Sequence, residues 1–304
     1  FSSTSLLTAD ILIQGSSTDD QIGRHLGFVA SPSSGDPAIL ISREEFVQIV
    51  EITSSLGSGT LSSSAVSAIS IRETYADMEM TVLGIEDYDG DGYDDWVLAS
   101  PSRGTKEPIL AFFNAIPSSG GNVTTLADFT VEDDVTGDGS YLGVSLAHGQ
   151  VNGSDDYIFA ATNDDEGTAA AYFGRVSTLK SGVSTMLSIT GAGFDCPTDS
   201  SPEDYSGTRN VAVVDLDGDG YDDIALGCPR WRASTISMAY NGKVWVIGGA
   251  KTPASIDLST SSGVYAFEGV ETYTGQGLAN AGDVDRDGID DLLIGAPTSS
   301  SSGG

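Results

Sequence analysis

The chain has 304 residues, and its 44 acidic and 13 basic side chains give a formal net charge of −31. This charge excludes direct binding to bare nucleic acid or to an anionic membrane, because both would repel the chain at long range. Its apolar runs fall short of the roughly 18 residues of a membrane span, and its two Cys and two His leave little room for a disulfide-stapled miniprotein or a His-based zinc site or triad.

The first part of the chain shows short apolar runs of strand length. Residues 10–14 are predicted to form an outer strand, and residues 26–30 and 38–42 are predicted to flank a turn at residues 31–36. Short apolar runs bounded by Gly, Pro and Ser are typical of buried β-strands. The turn holds a single carboxylate, Asp36.

A dense acidic segment follows the next predicted strand. Residues 87–95 hold five Asp, and segments with the same spacing recur at residues 215–223 and 283–291. Carboxylates this close repel one another unless a cation lies among them, and Ca²⁺ accepts many oxygen ligands in flexible geometry. A solvated Asp-Gly turn is the alternative for one copy, but three copies with one spacing favour metal binding. We therefore predict three Ca²⁺ sites.

The predicted ligands occupy equivalent positions in the three segments. The first, third, fifth and ninth residues would give carboxylates, and the seventh would give its backbone carbonyl. These residues are Asp87, Asp89, Asp91, Tyr93 and Asp95; Asp215, Asp217, Asp219, Tyr221 and Asp223; and Asp283, Asp285, Asp287, Ile289 and Asp291. The eighth residues, Asp94, Asp222 and Asp290, are less suited to direct contact with the ion.

The residues after each acidic segment exclude an EF-hand. An EF-hand needs Glu at position 12 and a helix after the loop. Position 12 is Leu98, Leu226 or Ile294 here, within a short apolar run of strand type. The acidic segments are therefore predicted to be β-hairpin loops.

A degenerate copy of the strand–acidic loop–strand pattern lies between the first two acidic segments. Residues 142–150 and 157–161 read as strands, and the intervening residues 151–156 lack the first and fifth Asp of the pattern. We expect neither this loop nor residues 31–36 to hold calcium tightly.

The whole chain divides into repeats of similar length. Their approximate bounds are 10–68, 69–127, 128–185, 186–262 and 263–304, the last one incomplete. Each complete repeat holds about four short strands separated by Gly-, Ser- and Thr-rich turns. Four-stranded antiparallel sheets repeated along a chain favour an all-β fold, a β-propeller in a single domain or a fragment of one, over a solenoid.

The clearest unit carries a family resemblance. It reads Gly-Leu-Ala-Asn-Ala-Gly from residue 277, then the acidic segment, then Leu-Leu-Ile-Gly-Ala-Pro from residue 292. This pattern resembles the FG-GAP repeat, which builds the β-propeller of integrin α subunits. The resemblance implies calcium in hairpin loops on one face of the propeller and partner binding mostly on the opposite face.

The ends of the repeat pattern leave two arrangements open. Integrin propellers have seven blades, whereas this chain shows five repeats and stops after the second strand of the last one. We expect a piece of a longer ring. The alternative is a closed five-bladed ring in which the N-terminal strand completes the last blade.

Several residues outside the acidic segments are candidates for other roles. In this topology, Cys196 and Cys228 both fall on the face opposite the calcium loops, so they are a candidate disulfide. The triplets at Asn122 and Asn152 are glycosylation sequons. The candidate ligand-face residues are Arg230, Trp231 and Arg232, because Trp and Arg are frequent interface anchors.

The predicted function is an extracellular calcium-binding module for adhesion or recognition, whose ligand is a protein or a glycan. A second subunit or further copies of the chain are additional expected partners. We expect no catalytic residues, since His25 and His148 fall near predicted inner strands, where packing or solvation explains them. The alternatives are a polysaccharide lyase or hydrolase on a propeller, or a structural repeat in a surface filament.

Overall fold

The computed structural model describes the chain in separate ranges. These are residues 11–14, 25–30, 36–43, 46–52, 59–62, 69–72, 80–100, 109–132, 142–154, 156–161, 171–182, 186–190, 210–231, 241–270 and 272–297. The chain forms two compact units. Unit 1 contains residues 1–100 and 110–130, and unit 2 contains residues 101–109 and 131–304.

Unit 1 is built from short strands in chain order. They are β1 (Ile11–Gln14), β2 (Leu26–Val29), β3 (Ala38–Arg43), β4 (Phe46–Glu51), β5 (Gly59–Ser62), β6 (Ile69–Arg72), β7 (Thr81–Ile85), β8 (Asp95–Ser100), β9 (Ile109–Phe113), β10 (Gly121–Asn122) and β11 (Phe129–Glu132). A short helix, Val123–Leu126, follows β10. Its N-cap is Asn122, whose side-chain oxygen accepts a hydrogen bond from the Thr124 amide at 3.0 Å.

Two sheets of unit 1 have four strands in antiparallel order. Sheet 1 runs β2-β3-β4-β6, with β10 added in parallel to β6, and sheet 2 runs β7-β8-β9-β11. Strand β1 pairs in parallel with β5. The core of sheet 2 is aromatic: the ring of Trp96 stacks on Phe113 at 3.9 Å between centroids, and Phe112 stacks on Phe129 at 4.3 Å.

Unit 2 repeats the same construction. Its strands are β12 (Ser145–Gly149), β13 (Tyr157–Ala161), β14 (Ala171–Arg175), β15 (Leu187–Thr190), β16 (Asn210–Val214), β17 (Asp223–Cys228), β18 (Lys243–Ile247), β19 (Ile256–Asp257), β20 (Val264–Glu268), β21 (Gly277–Gly282) and β22 (Asp291–Gly295). A short helix, Val176–Lys180, follows β14. Sheet 3 runs β12-β13-β14-β15 with β19 added in parallel, sheet 4 runs β16-β17-β18-β20, and sheet 5 is the hairpin β21-β22.

Neighbouring sheets within each unit pack through their first strands. Strand β2 lies against β7 in unit 1, and β16 lies between β12 and β21 in unit 2. Glycines permit this approach, because a β-carbon at Gly84 would overlap the Phe28 carbonyl and one at Gly149 would overlap the Val213 side chain. The second strands of sheets 2, 3 and 4, which are β8, β13 and β17, are buried along their whole length. They form the centre of each sheet.

These sheets confirm the predicted all-β class with four-stranded antiparallel blades, consistent with a propeller. Each sheet begins one strand later than the corresponding predicted repeat, since β6, β15 and β20 complete sheets 1, 3 and 4. Strand β1 pairs in parallel with β5, and both predicted arrangements, the piece of a longer ring and the closed five-bladed ring, stay predictions. In the described ranges, no helix is long and apolar enough to cross a membrane.

Candidate metal centres

The three acidic segments connect the first and second strands of three sheets, as predicted. Loop 1 (residues 87–95) joins β7 to β8, loop 2 (residues 215–223) joins β16 to β17, and loop 3 (residues 283–291) joins β21 to β22. The flanking strands pair in antiparallel register in every case. Each loop is therefore a hairpin connection whose two ends are held close together by the strand ladder.

The first, third and ninth residues of each loop converge. One carboxylate oxygen from each of Asp87, Asp89 and Asp95 lies within 4.8 Å of the other two. The equivalent residues converge in the same way in the other two loops: Asp215, Asp217 and Asp223, and Asp283, Asp285 and Asp291. Nine of the predicted ligands are thus brought together in three groups.

Backbone amides hold the first carboxylate of each loop. Asp87 accepts hydrogen bonds from the amides of Gly90 at 2.6 Å and Gly92 at 2.7 Å, one to each oxygen. Asp215 and Asp283 are held in the same manner by amides within their own loops. The hydrogen bond from Gly92 is the main reason that the pKa of Asp87 lies below its usual value. These amides therefore favour the ionised form of the Asp87 carboxyl.

Left-handed backbone conformations wrap each loop around its carboxylates. The sixth residues, Gly92, Gly220 and Gly288, have φ between 85° and 96°. The fourth residue has the same conformation, and in loop 3 it is Arg286, with φ 66°. This conformation favours glycine, so the sixth-position glycine was a correct signal of the turn.

Asp95 is the most deeply buried carboxylate of loop 1. Its Oδ2 accepts a hydrogen bond from the Tyr88 amide at 2.7 Å, whereas its buried Oδ1 has no hydrogen-bond partner among the residues that the structure describes. Burial, together with the charges of Asp89 and Asp87, raises the pKa of Asp95 to about 7. A buried carboxylate oxygen that faces other carboxylates fits a position beside a cation.

The ninth residues of loops 2 and 3 also accept hydrogen bonds from backbone amides. Asp223 accepts from the Gly249 amide at 2.9 Å and from the Leu216 amide at 3.1 Å, one to each oxygen. Burial raises the pKa of Asp223 as well. Asp291 accepts from the Val284 amide at 2.9 Å. The ninth carboxylate thus anchors the loop to the strand in all three hairpins.

The fifth residue of each loop, a predicted ligand, lies apart from the first, third and ninth residues. Asp91, Asp219 and Asp287 are outside the three convergent groups. Each accepts a hydrogen bond at 2.9 Å from the amide of the seventh residue, which is Tyr93, Tyr221 or Ile289. The assignment of the fifth carboxylate and the seventh carbonyl as ligands stays a prediction.

The eighth residues turn away from the convergent groups. Asp94 Oδ2 accepts from the Ala30 amide at 3.1 Å, and Asp222 Oδ2 accepts from the Gln150 amide at 2.6 Å. Asp290 Oδ2 accepts from the side-chain amide of Asn280 at 3.1 Å. The structural role of Asp94 and Asp222 was not predicted, because contacts between neighbouring sheets leave no periodic signal in the sequence.

The candidate ligand-face residues are less open than expected. Arg230 is 2% exposed, which argues against its guanidinium contacting an external ligand. Trp231 is half-buried, and the ammonium of Lys243 lies 4.4 Å from its ring centroid and 5.1 Å from that of Trp245. Arg232 lies outside the described residues.

The remaining candidates are only partly described. Cys228 is buried and disulfide-bonded. Its predicted partner, Cys196, lies outside the described residues, so the pairing stays a prediction. Asn152 accepts a hydrogen bond from the Ser154 amide at 3.2 Å, and His148 Nδ1 lies 3.4 Å from Asp156 Oδ1.

The donor sets fit a hard divalent cation. Each convergent group offers only carboxylate oxygens, which Ca²⁺ prefers and which a soft metal does not. Two further features favour a cation at these positions. The buried Oδ1 of Asp95 has no hydrogen-bond partner among the described residues, and backbone amides hold the first carboxylate of each loop in place. The groups of loops 2 and 3 are built like that of loop 1, so the same class of ion fits all three.

Parts of the chain are similar to known proteins that carry the repeat named above. The FG-GAP repeat family matches residues 207–247 and 274–304, which contain loops 2 and 3. Integrin alpha-V of Gallus gallus is 27% identical over 261 residues, covering 82% of this chain and 23% of that protein. Integrin alpha-4 of Xenopus laevis is 32% identical over 164 residues, covering 52% and 14%, respectively.

A third relative is similar over a shorter stretch. Integrin alpha-5 of Xenopus laevis is 33% identical over 90 residues, covering 29% of this chain and 8% of that protein. The chain spans less than a quarter of the length of each of these three relatives. Residues 207–247 and 274–304 thus match the FG-GAP repeat that the sequence pattern resembles, and the similarity to integrin alpha chains supports an integrin-like fold of such repeats.

Proposed function

We propose that this chain is a calcium-binding adhesion or recognition module of integrin-α-like type. The proposal rests on the convergence of the first, third and ninth carboxylates in three hairpin loops, two of which lie in segments that match the FG-GAP repeat. The integrin alpha relatives support an adhesion role over a catalytic one. We assign no catalytic residue.

Calcium has a structural part in this proposal. The ion supplies positive charge among carboxylates that would otherwise repel one another. Asp87, Asp89 and Asp95 would hold it in loop 1, and the equivalent residues would hold it in loops 2 and 3. The chain's own amides orient the first carboxylates, and the ninth carboxylate ties the loop to its second strand.

An extracellular location suits both the calcium sites and the cysteine chemistry. Extracellular modules operate with calcium affinities of about 10⁻⁴–10⁻³ M, so weak sites would be filled there. A disulfide at Cys228 is stable in an oxidising compartment. In the same setting, Asn122 and Asn152 would be available for glycosylation.

We propose that the partner is an extracellular protein or a glycan, and that it binds on the face opposite the calcium loops. Trp231 is the described residue that best fits an anchor there, because it is only half-buried and carries a neighbouring ammonium. A second subunit, or further copies of the chain, would be additional partners of this module.

Calcium titration calorimetry tests the metal sites. The wild-type chain should bind three Ca²⁺, and each of the variants Asp87→Asn, Asp215→Asn and Asp283→Asn should bind one fewer. The matched control is Asp36→Asn. It changes an exposed carboxylate in a segment that is not expected to hold calcium tightly, and it should leave the stoichiometry at three. A stoichiometry that none of the three loop variants changes would overturn the proposed sites.

A binding assay on glycan and extracellular-matrix protein arrays tests the recognition role. The Trp231→Ala variant should lose binding to the ligand found for the wild-type chain while its three calcium sites remain filled. Turnover of an acidic polysaccharide by the wild-type chain would contradict the proposal and favour a lyase or hydrolase.

A further inference from the structure

Asp222 links loop 2 to the neighbouring sheet. Its Oδ2 accepts a hydrogen bond of 2.6 Å from the amide of Gln150. Gln150 directly follows β12 and immediately precedes residues 151–156, the acid-poor loop of sheet 3. A charged acceptor with a short hydrogen bond is among the stronger polar contacts in proteins. This hydrogen bond thus connects the end of loop 2 to the residue that precedes the acid-poor loop of sheet 3.

Further contacts surround this hydrogen bond. The Val151 carbonyl accepts from the Ala250 amide at 2.8 Å, and the Gln150 carbonyl accepts from the Asp222 amide at 3.4 Å. A β-carbon at Gly153 would lie 2.8 Å from the Gly220 carbonyl and 3.3 Å from the Tyr221 ring. Residues 150–153 therefore rest on loop 2 and on the connection after β18.

The same arrangement occurs in unit 1. Asp94, the eighth residue of loop 1, accepts at 3.1 Å from the amide of Ala30. Ala30 directly follows β2 and precedes the other acid-poor loop, residues 31–36. The two eighth-position carboxylates that reach a preceding sheet thus both accept from the residue that directly follows its first strand, and in each case the next residues in the sequence are poor in acids.

Loop 3 is the informative exception. The loop that precedes it is loop 2, which has its own set of carboxylates. Asp290 stays within its own hairpin, where it accepts from Asn280, and Ile289 packs beside Gly218 of loop 2 through apolar atoms. A carboxylate directed at another acidic loop would meet like charge, which is unfavourable. Asp290 thus agrees with Asp94 and Asp222, because in all three loops the eighth carboxylate avoids a neighbouring acidic loop.

We propose that Asp222 is a positioning residue through which loop 2 orders the acid-poor loop of sheet 3. Calcium bound in loop 2 would then stabilise the β12–β13 hairpin, although residues 151–156 lack most of the ligand pattern. Asp94 occupies the equivalent position in unit 1, between loop 1 and Ala30 at the end of β2. This inference rests on the proposed calcium site in loop 2.

Amide hydrogen exchange at Gln150 tests the coupling. In the wild-type chain, adding Ca²⁺ in place of EDTA should slow exchange at Gln150 by about tenfold or more, because opening of the hairpin becomes coupled to loss of the ion. In Asp222→Ala, the calcium-dependent slowing should be lost. Asp222→Asn keeps one side-chain acceptor oxygen and should retain most of the effect.

The matched control is Asp290→Ala, which removes an eighth-position carboxylate that stays within its own hairpin. It should leave exchange at Gln150 unchanged. Calorimetry in an Asp87→Asn/Asp283→Asn background measures calcium binding at loop 2 independently of exchange. Binding at loop 2 with no change of exchange at Gln150 would overturn the coupling alone. Absence of binding at loop 2 would overturn both the coupling and the proposed calcium site.

Discussion

At the residue scale, the ninth carboxylates of loops 1 and 2 differ in their hydrogen bonds. Among the described residues, Asp223 has a backbone amide at each oxygen, whereas Asp95 has a backbone amide at only one. An ionised group in a buried position is costly unless all its acceptor sites are satisfied. Asp95 is therefore the position at which removal of an ion should be felt most.

Replacing Asp95 by Asn should have opposite effects in the two calcium states. In EDTA at pH 8, Asp95→Asn should raise the free energy of unfolding by about 1–2 kcal/mol, because it removes a buried charge. In saturating Ca²⁺, the same variant should be less stable than wild type, because a ligand is lost. Urea unfolding in each buffer measures both values.

The matched variant is Asp223→Asn, for which the sign in EDTA should be reversed. Asn has one acceptor oxygen, so one of the amides of Gly249 and Leu216 would face an NH₂ group. This variant should lose about 1–2 kcal/mol in EDTA as well as in calcium. A stability gain in EDTA for both variants, or for neither, would contradict the distinction between the two carboxylates.

At the element scale, the hairpins and their acidic loops could be predicted from the sequence. Their signal is local: a repeated Asp spacing, a sixth-position glycine and a following apolar run such as residues 224–228. Both strands of each hairpin are close in sequence, so the turn chemistry specifies their pairing. The same local spacing predicted that the first, third and ninth carboxylates come together, but it also predicted the fifth carboxylate, which lies outside the convergent groups.

The contacts that join elements distant in sequence could not be predicted. Parallel pairing of β1 with β5, of β6 with β10 and of β15 with β19 depends on tertiary packing. Residues at these positions show no pattern that specifies the partner strand. The same reason applies to Asp94 and Asp222, whose acceptor role depends on the neighbouring sheet.

The close packing of first strands makes Gly84 sensitive to substitution. A β-carbon at Gly84 would overlap the backbone carbonyl of Phe28, so β7 and β2 would have to move apart. Gly84→Ala should lower the free energy of unfolding by about 1–3 kcal/mol, measured by urea denaturation. The matched control is Gly277→Ala on β21, where a β-carbon would meet nothing within 4 Å. Equal losses in the two variants would contradict the packing argument.

At the scale of the whole molecule, the net charge of −31 opposes compaction. Carboxylates are concentrated in three loops, but the remaining acids are spread over the chain and repel one another at long range. Ions bound in the loops would remove only part of this charge. Stability should therefore depend on two separate influences: specific occupation of the loops by calcium and nonspecific screening by salt.

Salt titration in EDTA should separate these two influences. Raising NaCl from about 20 mM to about 0.5 M shortens the Debye length from roughly 20 Å to roughly 4 Å, so repulsion between distant carboxylates is screened. The urea midpoint should rise across this range, and choline chloride should give the same rise because screening does not depend on the cation. With saturating Ca²⁺, the rise should be smaller, since the densest acid groups are already neutralised. A midpoint that is independent of salt in EDTA would mean that the acidic surface is spaced widely enough to cost little, and would leave the loops as the sole electrostatic determinant of stability.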